Sequence, residues 1–341
     1  MKIDRKTMLA TLESVRSGLS SFKELLEQSC SFVFKEGRVY TFNGEVSLNA
    51  ELKMSEGNEV NFAVPAEDLV KLLAKLPDEE IDIELKTGEF IIVGSKRKAG
   101  LKIEKEIFLP LDNVEAPGNW IAFPERLLPL MMMGAMSCGK DETQFLTVCV
   151  HFTPNAIEAS DNYKIFRAEL ETGFKKEMLI RADSILDLKK HKPTHMSFSK
   201  NWAHFKNKED VVCSIRIHRG KYFDTSPFFK TKGTPIKMPG NLAEIVDRAR
   251  VLGDNYVTSS NSEVSINLSE SLLILSAHKA TGWYEEKKRV KYTGRDISFS
   301  INPQLLLDLM AHTRDAIVSE TNTLTIQTKE FSLIVALRVL E

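Results

Sequence analysis

Gly134-Ala135-Met136-Ser137-Cys138-Gly139-Lys140 has the GxxxxGK spacing with which a glycine-rich turn cradles phosphates on backbone N–H groups. Three features oppose that chemistry. Asp141 stands where the magnesium-binding Ser or Thr belongs, Glu142 adds a second negative charge, and the preceding residues read as helix where a strand is required. No ATPase is expected. His191 and His195 have the i, i+4 spacing of a metal pair, but Pro193 between them breaks the helix that such a pair needs, and both are expected on a surface loop. Cys30, Cys138, Cys149 and Cys213 are scattered without a CxxC pair and read as ordinary thiols. No Gly-x-Ser-x-Gly elbow, metalloprotease motif or spaced acid–base pair occurs, so no enzyme active site, metal or cofactor is expected.

The chain has 341 residues, with 46 Lys+Arg against 47 Asp+Glu, so net charge points to neither nucleic acid nor membrane. A hydrophobic share of 43% with only 17 Gly and 12 Pro can bury a core and excludes collagen-like and disordered chains. Leu127 to Met136, the longest strongly apolar stretch, is half the roughly 20 residues of a bilayer span. The opening Met1-Lys2-Ile3-Asp4-Arg5 is no signal peptide, and a cytoplasmic protein without membrane contact is expected.

The elements repeat. Helices with one apolar face open at Pro65, Ala182 and Pro303, with Pro in the first turn and Asp183 or Asn302 as capping acceptor. Their apolar positions are Leu69, Leu72, Leu73 and Leu76; Ile185, Leu186 and Leu188; and Leu305, Leu306, Leu309 and Met310. Alternating strands follow, at Ile81–Leu85, Val211–Ile217, Leu324–Gln327 and Leu333–Leu337. The anchors recur 117 and 121 positions apart, far beyond a solenoid period, so each repeat is a domain. An earlier helix opens each repeat, at Thr7–Ser20, Pro124–Met136 and Asn241–Leu252, followed by a strand-turn-strand. Breakers near Pro117-Gly118 and Lys232-Gly233-Thr234-Pro235 predict domains 1–117, 118–234 and 235–341 in an α+β fold of two helices packed on antiparallel sheets.

This triplicated organisation resembles the bacterial β sliding clamp, the processivity subunit of the replicative DNA polymerase. The resemblance covers the whole chain. It is carried by the Met1–Arg5 opening, Val64-Pro65-Ala66, Ile107–Asp112, Ala159-Ser160-Asp161-Asn162-Tyr163-Lys164, Gly220-Lys221-Tyr222-Phe223-Asp224 and Val335–Leu340. It implies a DNA clamp fold in which two chains close head to tail into a six-domain ring around duplex DNA. The helices would line the hole and the sheets form the wall, and the activity would be topological rather than catalytic.

The implied DNA-facing set is Arg5, Lys6, Arg16, Lys23, Lys71, Lys75, Arg126, Lys189, Lys190, Lys192, Arg248, Arg250 and Arg314. Phosphate attraction of this kind is independent of sequence, as sliding requires. The resemblance places Leu101 and Ile103 against Val251 and Leu252 at a homodimer interface. It also implies a pocket that takes a short hydrophobic motif from a polymerase or clamp loader. Its lining would be Leu146, Ser160, Asn162, Tyr163, Lys164, Ile165, Phe223, Phe228, Thr323, Ile334, Val335, Ala336, Leu337 and Arg338.

The pocket departs from the family pattern. Ser160-Asp161-Asn162-Tyr163-Lys164-Ile165 replaces the common Thr-Asp-Gly-His-Arg-Leu, and Phe223-Asp224-Thr225-Ser226 replaces Pro-Asp-Tyr-Arg. Such departures suit a divergent clamp of the kind a phage or mobile element would encode. The alternative is a clamp-fold scaffold that binds peptides without encircling DNA.

Overall fold

The computed structural model describes residues 2–20, 26–52, 61–77, 79–86, 88–230, 232–253 and 263–339. Met1, Lys23 and Leu340 of the stretches above lie outside them. The chain divides into two compact units, one of residues 1–132 and 178–220, the other of residues 133–177 and 221–341.

In the first unit, β1 (Lys2–Asp4) leads into α1 (Arg5–Ser14), and β2 (Ser31–Lys35), β3 (Arg38–Phe42), β4 (Val46–Glu51) and β5 (Phe62–Pro65) precede α2 (Ala66–Lys75). Next come β6 (Glu80–Lys86), β7 (Glu89–Val93), β8 (Lys98–Lys102) and β9 (Ile121–Ala122). The unit resumes with β13 (Met178–Arg181), α4 (Ala182–His191), β14 (His195–Phe198), β15 (Trp202–Lys206) and β16 (Val212–Arg216). Four strands form a sheet in the order β1-β6-β7-β8, and eight form β5-β2-β3-β4-β16-β15-β14-β9.

The second unit contains the last turns of α3 (Leu127–Ser137), then β10 (Cys149–Thr153), β11 (Ala156–Ser160) and β12 (Lys164–Glu169). After residue 220 it has β17 (Gly233–Lys237), α5 (Leu242–Gly253), β18 (Val264–Ser269), β19 (Leu272–Lys279), β20 (Gly282–Arg289) and β21 (Ile297–Ile301). It ends with α6 (Pro303–Met310), β22 (Asp315–Ser319), β23 (Thr323–Gln327), β24 (Ser332–Ala336) and β25 (Arg338–Val339). One sheet runs β10-β11-β12-β24-β23-β22-β17 and another β20-β19-β18-β21-β25.

Alternation drives this pairing. Val264, Ile266 and Leu268 of β18 are buried while the residues between them are half-exposed, as a strand with one face on a core requires. In the first unit Phe34, Phe62 and Phe90 stack at 4.7–6.2 Å, and Trp202 sits edge-on to Phe42 at 5.8 Å while its Nε1–H donates to the Asn113 carbonyl at 2.9 Å. Each such side chain contributes about 1.5–3 kcal/mol by leaving water, which makes these rings anchors of the first unit's core.

Several expectations need correction. Asn302 caps α6, accepting from Leu305 N at 3.0 Å, but Asp183 lies inside α4 and Arg181 precedes the helix without a side-chain cap. Pro65 stands just before α2 rather than in its first turn, and Pro124 stands three residues before α3. α1 stops at Ser14 and only a 3-10 turn follows, because Val15 and Gly18 turn into the core. Adding a Cβ to Gly18 would bring it to 2.3 Å from Thr41 Oγ1, so the chain needs glycine for that close approach. His191 is not on a surface loop: it is buried in the last turn of α4, its Nε2 2.9 Å from the Phe205 carbonyl. Leu186 lies on the exposed side of α4.

Candidate functional site

The first four residues of the GxxxxGK stretch, Gly134–Ser137, form the end of α3, with Gly134 against Val150 and Ile157, and Cys138–Lys140 follow the helix, so no strand leads into the stretch and no helix starts after it. Among the described residues no three His, Cys, Asp or Glu side chains converge to hold a metal ion, and no helix is long and apolar enough to cross a membrane.

All the expected pocket residues fall in the second unit, and antiparallel pairing of β12 with β24 brings most of them together. Lys164 stands opposite Val335 and Ile165 opposite Ile334, while the Tyr163 carbonyl accepts from Ala336 N at 2.7 Å. Leu337 N donates to the Asn322 carbonyl at 2.8 Å, drawing the Thr323 turn to the same end. Ser160, Ile165 and Ile334 are buried on one face of this sheet, while Val335, opposite Lys164, is buried on the other, so the expected lining divides between two faces; Tyr163 is 75% exposed and Phe228 48% exposed.

The turn between β11 and β12 is built by its own polar side chains. Asp161 Oδ1 accepts from Tyr163 N at 3.0 Å and Lys164 N at 2.8 Å; Ser160 Oγ donates to the Lys164 carbonyl at 2.8 Å. Asn162 has φ 73°, the left-handed region where Asn is the common substitute for Gly. Asn162 thus holds this turn without a glycine. Asn162 Nδ2 donates to Gln144 Oε1 at 2.5 Å, tying the loop that carries Leu146 to this turn.

Two exposed apolar side chains fall outside the expected set: Phe145, on that same loop and 37% exposed, and Met136, at the end of α3 and 63% exposed. Arg338 was expected at the pocket rim, but β25 pairs with β21 and the guanidinium meets Glu263 at 3.3 Å.

The expected basic set is mostly solvent-exposed. In the first unit Lys6, Lys71, Lys75, Lys189, Lys190 and Lys192 are exposed on or beside α1, α2 and α4, while Arg5 donates to the Leu73 carbonyl at 2.8 Å. Lys71 pairs with Glu67 at 2.5 Å and Arg16 with Glu13 at 3.0 Å. Arg126 is exposed just ahead of α3. In the second unit Arg314 is exposed after α6, Arg250 contacts Gln304, and Arg248 is tied to Tyr284 and Glu286 of β20. Hydrogen bonds from Tyr284 and Arg248 hold the Glu286 carboxyl down at about 2. Of the expected interface residues, Leu101 lies in the edge strand β8, Ile103 follows it, and Val251 and Leu252 end α5, with Val251 69% exposed.

No protein-family model matches the sequence. The β sliding clamp of Chlamydia muridarum is 19% identical over 289 residues, covering 80% of this chain and 78% of that protein; that of Chlamydia trachomatis is 19% identical over the same length, covering 80% and 68%. The Pseudomonas aeruginosa sliding clamp bound to griselimycin superposes with a TM-score of 0.83 at 16% identity over 100% of this chain and 99% of that one. The DNA polymerase III β chain of Streptococcus pneumoniae gives 0.82 at 19% identity over 98% of each. The chain has the clamp fold. These relatives are bacterial, and they lend the phage origin no support.

Proposed function

We propose that this chain, having the fold of the β sliding clamps, is itself a DNA sliding clamp: a processivity subunit without a catalytic site of its own. Two copies close head to tail around duplex DNA and tether a polymerase. In this reading the chain holds three domains, 1–117, 118–234 and 235–341, whose helices turn the exposed lysines and arginines described above toward the DNA. The second domain's β12 and the third domain's β24 frame a pocket for a short hydrophobic motif of the polymerase or its loader. Ile165, Phe223 and Phe228 desolvate the apolar anchors of that motif.

The observation that carries the reading is a seam that recurs in register. Two-residue turns join Lys35 to Arg38, Thr153 to Ala156 and Ser269 to Leu272. The fifth residue of each following strand, Phe42, Ser160 and Ser276, pairs with Ser47, Ile165 and Glu285. On the other side Glu89, Trp202 and Thr323 open β7, β15 and β23 and pair with Lys102, Arg216 and Ala336, which makes Gly100, Ser214 and Ile334 equivalent. Ser47 stands opposite Ser214 and Ile165 opposite Ile334. Two of the three possible seams are thus made within the chain. The third pair, Glu285 of β20 and Gly100 of β8, lies on strands that end their sheets, and a second copy supplies the match.

The parity of the strands agrees with that register. Lys98, Gly100 and Lys102 are exposed, as are Trp283, Glu285 and Lys287, while Ala99, Leu101, Tyr284 and Glu286 are half-buried. Glu285 would lie between the partner's Lys98 and Lys102 at the diagonal spacing of about 7–8 Å that lysine side chains span, with glycine opposite to leave room. The partner's Leu101 would face Tyr284, on the side toward Val251.

A double variant, Gly100→Cys with Glu285→Cys, treated with a short bismaleimide, tests this closure alongside solution mass. A dimer mass with efficient covalent dimer formation, absent from either single variant, is expected. A stable monomer that forms no cross-link would overturn the ring.

A further inference from the structure

The segment that carries Phe223 and Phe228 is seated on a row of polar side chains outside the expected pocket. His151, Glu158 and Arg167 stand directly opposite one another across β10, β11 and β12, and Arg167 faces Ser332 of β24. The next row on the same face, two residues along each strand, is Ser160, Ile165 and Ile334, the pocket floor. The two rows are about 7 Å apart.

Each member of this row holds one part of the segment. Tyr222 stacks on His151 at 4.7 Å and Phe223 stacks on Tyr222 at 4.4 Å. Thr225 Oγ1 donates a short hydrogen bond to Glu158 Oε1. Arg167 Nη1 donates to Ser226 Oγ at 3.2 Å, and its guanidinium lies 5.8 Å from the Phe229 ring centre. Glu158 is the centre: His151 Nδ1 is 2.9 Å from its Oε2 and Arg167 Nη1 is 3.7 Å from its Oε1. Burial alone would raise its pKa, but the hydrogen bonds from His151 and Thr225, with the Arg167 charge, hold it below the usual carboxylate range. The Tyr222 hydroxyl is buried without a hydrogen-bond partner, so its ring rather than its oxygen does the seating.

Resting on the reading of the pocket above, we infer that Glu158 is a positioning residue for the peptide site: its carboxylate, fixed between His151 and Arg167, anchors Thr225 and thereby sets the Phe223 and Phe228 walls against the Ile165 floor. Thr225 lies in the stretch Phe223-Asp224-Thr225-Ser226 that departs from the family pattern. A hydrogen bond to a buried charge holds a hydroxyl more firmly than a neutral one does. Loss of the anchor frees the walls, and a bound peptide must then order them again at a cost in affinity.

The test uses the full-length protein and a fluorescein-labelled pentapeptide, Gln-Leu-Ala-Leu-Phe, in fluorescence anisotropy. Thr225→Val is expected to weaken binding about tenfold, the size of one charge-assisted hydrogen bond, and Thr225→Ser to restore it. Glu158→Gln combined with Thr225→Val should be no weaker than the worse single variant, while solution mass stays unchanged throughout. Phe228→Ala, which removes an exposed wall directly, is the control. If Phe228→Ala weakens binding but Thr225→Val does not, the positioning role falls and the pocket stands. If the native protein fails to bind the probe, or Phe228→Ala is without effect, the pocket reading and this inference fall together.

Discussion

Ile165 of β12 and Ile334 of β24 stand directly opposite each other across an antiparallel ladder, both buried, although 169 positions separate them in the chain. The pair joins strands far apart in the chain, and both side chains lie out of water. Ile334→Ala should lower unfolding stability by about 2–5 kcal/mol and Ile334→Val by about 0.5–1.5 kcal/mol. Urea unfolding followed by circular dichroism reads this directly; an unchanged midpoint for the alanine variant would mean that the seam is not packed.

Asn162 at φ 73° makes a second prediction. Asn162→Gly should fold with stability within about 1 kcal/mol of the native protein, whereas Asn162→Val, β-branched in a left-handed position, should lose about 1–3 kcal/mol. Thermal unfolding distinguishes them, and equal stability of the two variants would contradict the turn geometry.

The third concerns pH. His204 is fully buried in the first unit, with Nδ1 2.8 Å from Ser214 Oγ and Nε2 3.1 Å from Ser199 Oγ. Burial lowers its pKa to about 4 against the opposing pull of the Glu115 charge, and burial also lowers that of His191. A histidine with a depressed folded pKa disfavours the proton that the unfolded chain accepts near pH 6.5. Its contribution is complete above that pH and is lost as pH falls toward 4, by about 3 kcal/mol for His204. Stability measured across pH 4–7 should rise with pH, and His204→Asn should flatten part of the slope, His191 retaining the rest. An unaltered slope would rule His204 out.

The helices that follow Pro65, Arg181 and Asn302, and the alternating strands behind them, were legible because apolar stripes and period-two alternation are local signals; the structure has α2, α4 and α6 there with strands after each. The seams were not legible. Register between β12 and β24 depends on turn lengths at several hairpins at once, which no local pattern displays. Nor could spacing reveal that Glu158 reaches Thr225, because a lone acid on a strand reads as a solvated residue until its neighbours cover it. Arg248 illustrates the converse: an exposed helical arginine by sequence, it is bound to Glu286 by a strand 38 positions away.

Exposed Lys189 and Lys190 near the end of α4 supply a fourth prediction. If they meet phosphates, Lys189→Ala with Lys190→Ala should reduce the slope of log affinity against log salt by about 0.9 for each phosphate no longer neutralised. Anisotropy of a labelled linear duplex over a salt series measures it, and an unchanged slope would remove α4 from the DNA-facing surface.

The central claim is that the protein is held on DNA by topology. It should be loaded on nicked circular DNA, washed at salt high enough to screen phosphate contacts, and compared before and after the circle is cut once. Retention on the intact circle with release from the linear form is the predicted result. Equal loss from both would contradict encirclement and leave a clamp-fold scaffold that binds peptides without enclosing DNA.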